Sequence, residues 1–201
     1  MIDADAIILA GGRGTRLRGA FDGPKCLAPV AGRPFLHWLL DQLVAAGFPQ
    51  IILALGYGSN EIVSALASYS EVGINPSIEQ HQIGEVGAAR LASKRMKTNV
   101  GIVVNGDTYV RGVDFAALVD RHRDGAHPRA TGIYARRDHD PIVHAGITIV
   151  DKTIFRTLRG SGRLADQAFV IGIEMDFVDV GTPEGLARAQ EFVPAAAGVL
   201  T

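Results

Sequence analysis

The chain has 201 residues, 47% of them hydrophobic and 20% charged, with a formal net charge of −1. This composition suits a single globular domain, excludes a disordered chain, and leaves no excess positive charge for a general grip on nucleic acid or anionic lipid. The lone Cys26 cannot form an internal disulfide, the start Met1-Ile2-Asp3-Ala4-Asp5 is acidic where a signal peptide is basic, and no apolar run approaches the ~20 residues that span a bilayer, so a cytoplasmic protein without a membrane or nucleic-acid partner is expected.

Ala6-Ile7-Ile8-Leu9-Ala10 predicts a strand buried on both faces. Pro34 can open a helix, because the first turn does not need its missing N–H. Phe35, Trp38, Leu39, Leu43 and Ala46 then fall on one face, and Gly47 ends it. Ile51 to Leu55 predicts a second buried strand, and Ser59 or Asn60 can cap a helix running to about Ser70. Val72 to Glu79 and Gly101 to Val104 read as further strands. Asp114 caps a helix to about Arg123. Ala145 to Val150 and Phe169 to Ile173 are later strands, and Thr182-Pro183-Glu184 starts the final helix. The domain is expected to cover residues 1–193, with 194–201 as a flexible tail. Alternating strands and helices imply an α/β fold with a mostly parallel sheet covered on both faces. In such sheets ligands bind beyond the carboxyl ends of the strands, so the loops after the strands are where chemistry is sought.

The first such loop is Leu9-Ala10-Gly11-Gly12-Arg13-Gly14-Thr15-Arg16-Leu17-Arg18. Its glycines leave backbone N–H groups unshielded, free to converge on an anion. Arg13, Arg16 and Arg18 add charge, and Pro24-Lys25 brings a compact cation. The pattern is not G-x-x-x-x-G-K-[ST], nor does it have the spacing of a dinucleotide site. Two later loops carry acids. Asn105-Gly106-Asp107 follows a buried strand, and Val178-Asp179-Val180-Gly181-Thr182-Pro183 precedes a helix. Thr182 already fills the cap position, so Asp179 is free for other work. Mg²⁺ takes hard oxygen ligands, often one or two carboxylates completed by substrate phosphates and water. Spacing alone does not bring the two acids together.

Leu9 to Leu17 with Pro24-Lys25, continued by Ala28 to Leu36, resembles the signature of the sugar-1-phosphate nucleotidyltransferases. Asn105-Gly106-Asp107-Thr108-Tyr109 and Phe177 to Glu184 look most similar to the heptose 1-phosphate and mannose 1-phosphate guanylyltransferase branch. The resemblance covers residues 5–192. It implies a three-layer α/β/α nucleotidyltransferase fold, Rossmann-like and GT-A-like, and a Mg²⁺-dependent transfer. A nucleotide monophosphate would pass from an NTP, GTP by preference, to a heptose or hexose 1-phosphate, releasing pyrophosphate. By the same resemblance, Arg16, Lys25 and Asp107 are catalytic, and Asp107 and Asp179 hold the metal. Leu9, Ala10, Gly11, Gly12, Arg13, Gly14, Thr15, Glu79, Gly84, Asn105 and Gly106 would surround the nucleotide. His144, Gly146 and Arg136 would meet the sugar phosphate. A homodimer is compatible with the family, though no surface patch argues for one.

The chain departs from the family pattern in two places. Where small residues usually admit base and sugar, it reads Gly84-Glu85-Val86-Gly87-Ala88-Ala89, and Glu85 either faces solvent or alters the pocket. The segment from Tyr134 through Arg136, Arg137 and Pro141 to His144 is short, lacks the family's acceptor lysine and has His144 for an asparagine. A phosphorylated alcohol such as choline phosphate is therefore an alternative acceptor, and a catalytically silent nucleotide-binding protein an alternative function. The six histidines show no zinc spacing. Cys26 reads as a small buried filler, and Trp38 as core.

Overall fold

The computed structural model describes residues 2–67, 69, 73–125, 130–135, 143–173 and 175–198. The chain begins with β1 (Asp5–Leu9), β2 (Pro29–Val30), β3 (Arg33–Pro34), α1 (Phe35–Ala45), β4 (Ile51–Leu55), α2 (Ser59–Leu66), β5 (Ile74–Ile78) and α3 (Gly84–Ser93). It continues with β6 (Val100–Asn105), β7 (Thr108–Val110), α4 (Phe115–Asp124), β8 (Ala130–Ala135), β9 (Val143–Asp151), β10 (Phe169–Gly172), β11 (Phe177–Asp179) and α5 (Pro183–Ala196).

Seven strands form the main sheet in the order β10-β8-β9-β6-β1-β4-β5. β1 lies at its heart, parallel to β4 on one side and β6 on the other. Only β9 runs against its neighbours, antiparallel to both β6 and β8. The sheet is thus mixed and mostly parallel, the architecture expected of a nucleotidyltransferase.

The apolar runs are continuous because both faces of the strands are covered. On one face Ile7, Ile52, Ala54 and Val103 pack with Val86, Ala89 and Ala92 of α3 and with Phe155 and Leu164. On the other, Ala6, Ile8, Leu53 and Val104 share a core with Phe35, Leu36 and Leu40 of α1, Leu118 of α4 and Ala189 of α5. Trp38 sits in this second core, and its indole N–H donates to the Val30 carbonyl at 3.0 Å.

The helix starts at Asp114 and Thr182 form as their sequences require. Asp114 accepts from the Ala117 N–H at 2.9 Å, and Thr182 Oγ1 accepts from the Gly185 N–H at 3.1 Å. Each such cap contributes about 1 kcal/mol. Elsewhere the boundaries differ. α2 is capped by Gly58, so Ser59 is its first helical residue and not its cap. α5 continues to Ala196 with Pro194 inside it, where a loose tail was expected from residue 194. β5 begins at Ile74; Val72 and the expected end of α2 at Ser70 lie outside the described residues.

One small ladder decides the geometry of the site. β7 and β11 pair antiparallel, with Thr108 opposite Asp179, and the Val180 N–H then donates to the Asp107 carbonyl at 2.8 Å. Each strand has only three residues, too few for sequence periodicity to reveal.

Candidate active site

The glycine loop leaves the carboxyl end of β1 with its polar backbone turned outward. The Ala10 N–H donates to the Ala54 carbonyl at 2.9 Å and ends the strand pairing. Beyond it, the N–H groups of Gly11, Gly12, Arg13 and Gly14 donate to no protein acceptor among the described residues. Four free donors on consecutive residues suit an anion that spans several of them. Thr15 and Arg16 then form a short 3-10 turn with Leu17, whose side chain is buried and anchors the loop.

Gly106 is needed for close approach. A Cβ there would lie 2.7 Å from the Leu9 carbonyl oxygen, and the Gly106 N–H donates to that same oxygen at 2.9 Å. The contact seats the end of β6 against β1, so Asn105 and Asp107 emerge beside the glycine loop. Asp107 is buried, and its carboxylate forms an ion pair with Lys25. The side chain of Lys25 runs under the loop, where a Cβ on Gly12 would be 3.3 Å from Lys25 Cε.

Asp179 arrives through the β7–β11 ladder. Its Oδ1 accepts from the Gly181 N–H at 2.5 Å. Burial, and secondarily the charge of Asp107, hold its carboxyl above the ordinary carboxylate range; the Gly181 hydrogen bond, Lys25 and Arg16 pull the other way. The two acids therefore feel each other as like charges. Gly181 keeps the space between them open. A Cβ at that position would lie 2.6 Å from Asp179 Oδ1, 3.1 Å from Arg16 Nη2 and 3.5 Å from Asp107 Oδ2. Asp107, Asp179, Lys25 and Arg16 thus meet at one point. Among the described residues no three His, Cys, Asp or Glu side chains cluster as a metal site. Two carboxylates facing the Gly181 cradle still match the donor set that Mg²⁺ completes with phosphate and water.

A cleft of about 210 Å³ opens from this point across the ends of the strands. Leu9, Gly11, Gly12, Lys25, Glu79, Gly84, Asn105 and Asp107 line it, together with Ala54, Gln82, Glu85 and Ala88. Glu79 Oε2 accepts from the Ile83 N–H at 3.4 Å. Arg13 and Gly14 face a different hollow, shared with Arg18, Phe21, Tyr57 and Glu61.

Glu85 is half-buried on the wall of the cleft. Its Oε1 accepts from the Leu164 N–H at 2.8 Å, tying the segment before β10 to the start of α3. Burial raises its carboxyl above the usual range, and the Leu164 hydrogen bond opposes that shift. The sequence signal was the acid itself, placed where small residues are usual; its partner was not legible.

His144 and Gly146 are engaged inside the protein. His144 Nδ1 accepts from the Gly146 N–H at 3.2 Å, which leaves the ring proton on Nε2, 3.0 Å from Thr148 Oγ1. Neither ring nitrogen is left for a sugar phosphate. Gly146 packs on Thr108, behind the acidic loop, where a Cβ would come within 2.9 Å of Thr108 Cβ. Arg136 lies outside the described residues. Cys26 is buried, and burial pushes its thiol up to about 12, as a core filler requires.

Burial lowers the His144 imidazole from 6.5 to about 4, with the charge of Arg163 acting in the same sense. The folded chain thus binds fewer protons at this site than the unfolded chain between those values. Its stabilising effect is complete above pH 6.5 and is lost as pH falls toward 4. The urea midpoint of His144→Gln is expected to fall less between pH 7 and pH 4 than that of the wild type. Equal slopes would show the imidazole to be freely protonated.

The glycine loop, the two acids and the mostly parallel α/β sheet are the arrangement expected of a nucleotidyltransferase domain. The chain belongs to the family of the MobA-like NTP transferase domain, whose pattern matches residues 6–169. It is 32% identical over 153 residues to the mannose-1-phosphate guanylyltransferase of Mycobacterium tuberculosis, covering 69% of this chain and 42% of that one. It is 38% identical over 120 residues to the D-glycero-alpha-D-manno-heptose 1-phosphate guanylyltransferase of Aneurinibacillus thermoaerophilus, covering 59% and 52%. The chain therefore spans about half the length of the curated relatives it matches. Among solved structures, HddC from Yersinia pseudotuberculosis complexed with GMP-PN superposes with a TM-score of 0.81 at 26% identity, over 94% of this chain and 99% of that one. UDP-glucose pyrophosphorylase from Acinetobacter baumannii has a TM-score of 0.73 at 18% identity, over 94% and 92%, and shares the fold. No helix among the described residues is long and apolar enough to cross a membrane.

Proposed function

We propose that the chain transfers a nucleotide monophosphate from an NTP, GTP by preference, to a sugar 1-phosphate in the cytoplasm. The observation that carries this reading is the meeting of Asp107, Asp179, Lys25 and Arg16 beside four free backbone donors. The names of the similar proteins support the base and the acceptor class.

In this reading Asp107 and Asp179 hold Mg²⁺. When bound, the ion supplies positive charge to the polyphosphate as pyrophosphate leaves. The N–H groups of Gly11 to Gly14 would orient the phosphates, and Lys25 and Arg16 would neutralise their oxygens. Glu79 offers carboxylate oxygens to a base with adjacent N–H donors, as guanine has. The acceptor's phosphate oxygen attacks the α-phosphorus; one P–O bond forms and the bond to pyrophosphate breaks. The nucleophile is already an anion, so the chain needs no general base. Positioning and charge do the work.

The test is pyrophosphate release with each of four NTPs against a panel of sugar 1-phosphates and choline phosphate. Release with GTP and mannose or heptose 1-phosphate is expected. Thermal stabilisation by NTP without release from any pair would show a silent binder instead.

A further inference from the structure

Basic residues are unevenly spread over the chain. Val86 to Gly106 and Lys152 to Ala165 contain eight of its 20 Lys and Arg, four in each stretch, and no acid. The net charge of −1, from which no membrane partner was expected, hides this segregation. None of the eight cations pairs with a carboxylate among the described residues. Of the acids that bracket the two stretches, Glu85 accepts from Leu164, Asp107 pairs with Lys25 and Asp151 faces His122, which leaves Asp166 exposed beside them.

The fold joins the two stretches on one side of the sheet. α3 lies over β1 and β4, the short 3-10 turn Ile154–Arg156 packs on α3 and β9, and the turn Leu164–Gln167 packs on β8 and β9. The segment between the turns crosses the start of α3, where the Val86 N–H donates to the Gly162 carbonyl at 3.3 Å. Backbone carbonyls hold three of the cations. Arg90 donates to the Leu158 carbonyl at 3.4 Å, Arg159 to the Arg156 carbonyl at 3.0 Å and Lys152 to the Met96 carbonyl at 2.5 Å. Such bonds fix the side chains without neutralising them. Lys94, one helical turn from Arg90, and Arg156 are exposed.

Val170 lies on the same side. It is opposite Gly132 in the β10–β8 pairing, while the next residue, Ile171, packs into the core on the other face. Its aliphatic side chain is 63% exposed on the edge strand. A basic stripe therefore crosses the sheet from α3 toward β10 and ends in an apolar side chain. The one aromatic residue of the two stretches, Phe155, is fully buried, so the stripe offers no ring on which to stack a base. Pairing two copies about a two-fold axis on this face would oppose like charges.

We propose that this face docks the protein on an anionic lipid surface. Lys and Arg attract acidic headgroups, Val170 meets the acyl boundary, and the contact needs no groove. The cleft opens at the carboxyl ends of the strands, beside this face and not on it, and stays accessible. Docking is independent of the reaction proposed above.

Sedimentation of the full chain with vesicles tests it. Binding is expected to phosphatidylcholine vesicles carrying about 30% phosphatidylglycerol at about 0.1 M salt, and not to pure phosphatidylcholine. It should be lost at about 1 M salt, where charges act over only ~3 Å. Lys94→Gln together with Arg156→Gln removes two cations whose side chains make no hydrogen bond or ion pair among the described residues. Each lost charge should weaken binding about fivefold, and the pair about 25-fold. Arg188→Gln removes an exposed arginine of α5, on the opposite face, and should bind as the wild type does. Equal binding to the two kinds of vesicle, no binding to either, or a double variant that binds as tightly as Arg188→Gln overturns the proposal. Tighter binding to duplex RNA or DNA than to the acidic vesicles at the same salt assigns the stripe to nucleic acid and overturns it as well.

Discussion

Asp107→Ala is expected to reduce pyrophosphate release by about 10³-fold or more, the scale of losing a ligand to a catalytic metal. Three effects coincide in this substitution. One of the two carboxylates at the Gly181 cradle disappears. The buried ion pair with Lys25 is broken, which leaves the ammonium without its partner. Lys25, no longer held, is free to move from beneath the glycine loop, where its Cε underlies Gly12. Asp107→Asn separates charge from shape, since the amide fills the same volume with no negative charge. It should be nearly as inactive, because it removes the charge without opening a cavity. Turnover within about tenfold of the wild type in either variant would remove Asp107 from the chemistry.

Gly84→Ala is expected to have a large effect for so small a substitution. Gly84 has φ +74, a left-handed conformation that costs any other residue about 1–2 kcal/mol. A methyl there would also come within 2.6 Å of Ser161 Cβ and 2.8 Å of the Ser161 carbonyl carbon, with the carbonyl oxygen nearer still. Backbone cannot swing aside as a flexible side chain does, so the segment that crosses α3 must lift. Strain and lost packing together should lower stability by about 2–3 kcal/mol. The cleft wall formed by Gly84 and Glu85 should open with it, raising KM for both substrates. Urea unfolding and steady-state kinetics on the same preparation check both parts. A stability loss under about 0.5 kcal/mol would show that the segment does not rest on Gly84.

Elements with strong local patterns were legible in the sequence. β1, β4 and β6 are apolar runs because both faces of the sheet are covered, and Asp114 and Thr182 cap helices with side chains suited to the task. Elements defined by pairing were not legible. β7 and β11 exist because Thr108 to Val110 meets Phe177 to Asp179, and neither strand has a periodicity of its own. The antiparallel course of β9 was hidden for the same reason: an apolar run reports burial, not direction.

The site divides along the same line. The glycine loop and the two acids stood out by residue type at the carboxyl ends of strands. The Lys25–Asp107 ion pair and the Glu85–Leu164 clasp join distant stretches of chain, and only the fold reveals them. His144 shows the opposite case. Its position in the sequence suggested a ligand contact, but its ring closes two hydrogen bonds inside β9.

The most direct test is the crystal structure of the chain with Mn²⁺ and a non-hydrolysable GTP analogue. The anomalous signal of Mn²⁺ locates the ion independently of the phosphates. One peak at about 2.1 Å from carboxylate oxygens of both Asp107 and Asp179, with the triphosphate against the N–H groups of Gly11 to Gly14, is the expected result. Mn²⁺ bound away from both acids, with the nucleotide outside the glycine loop, would contradict it.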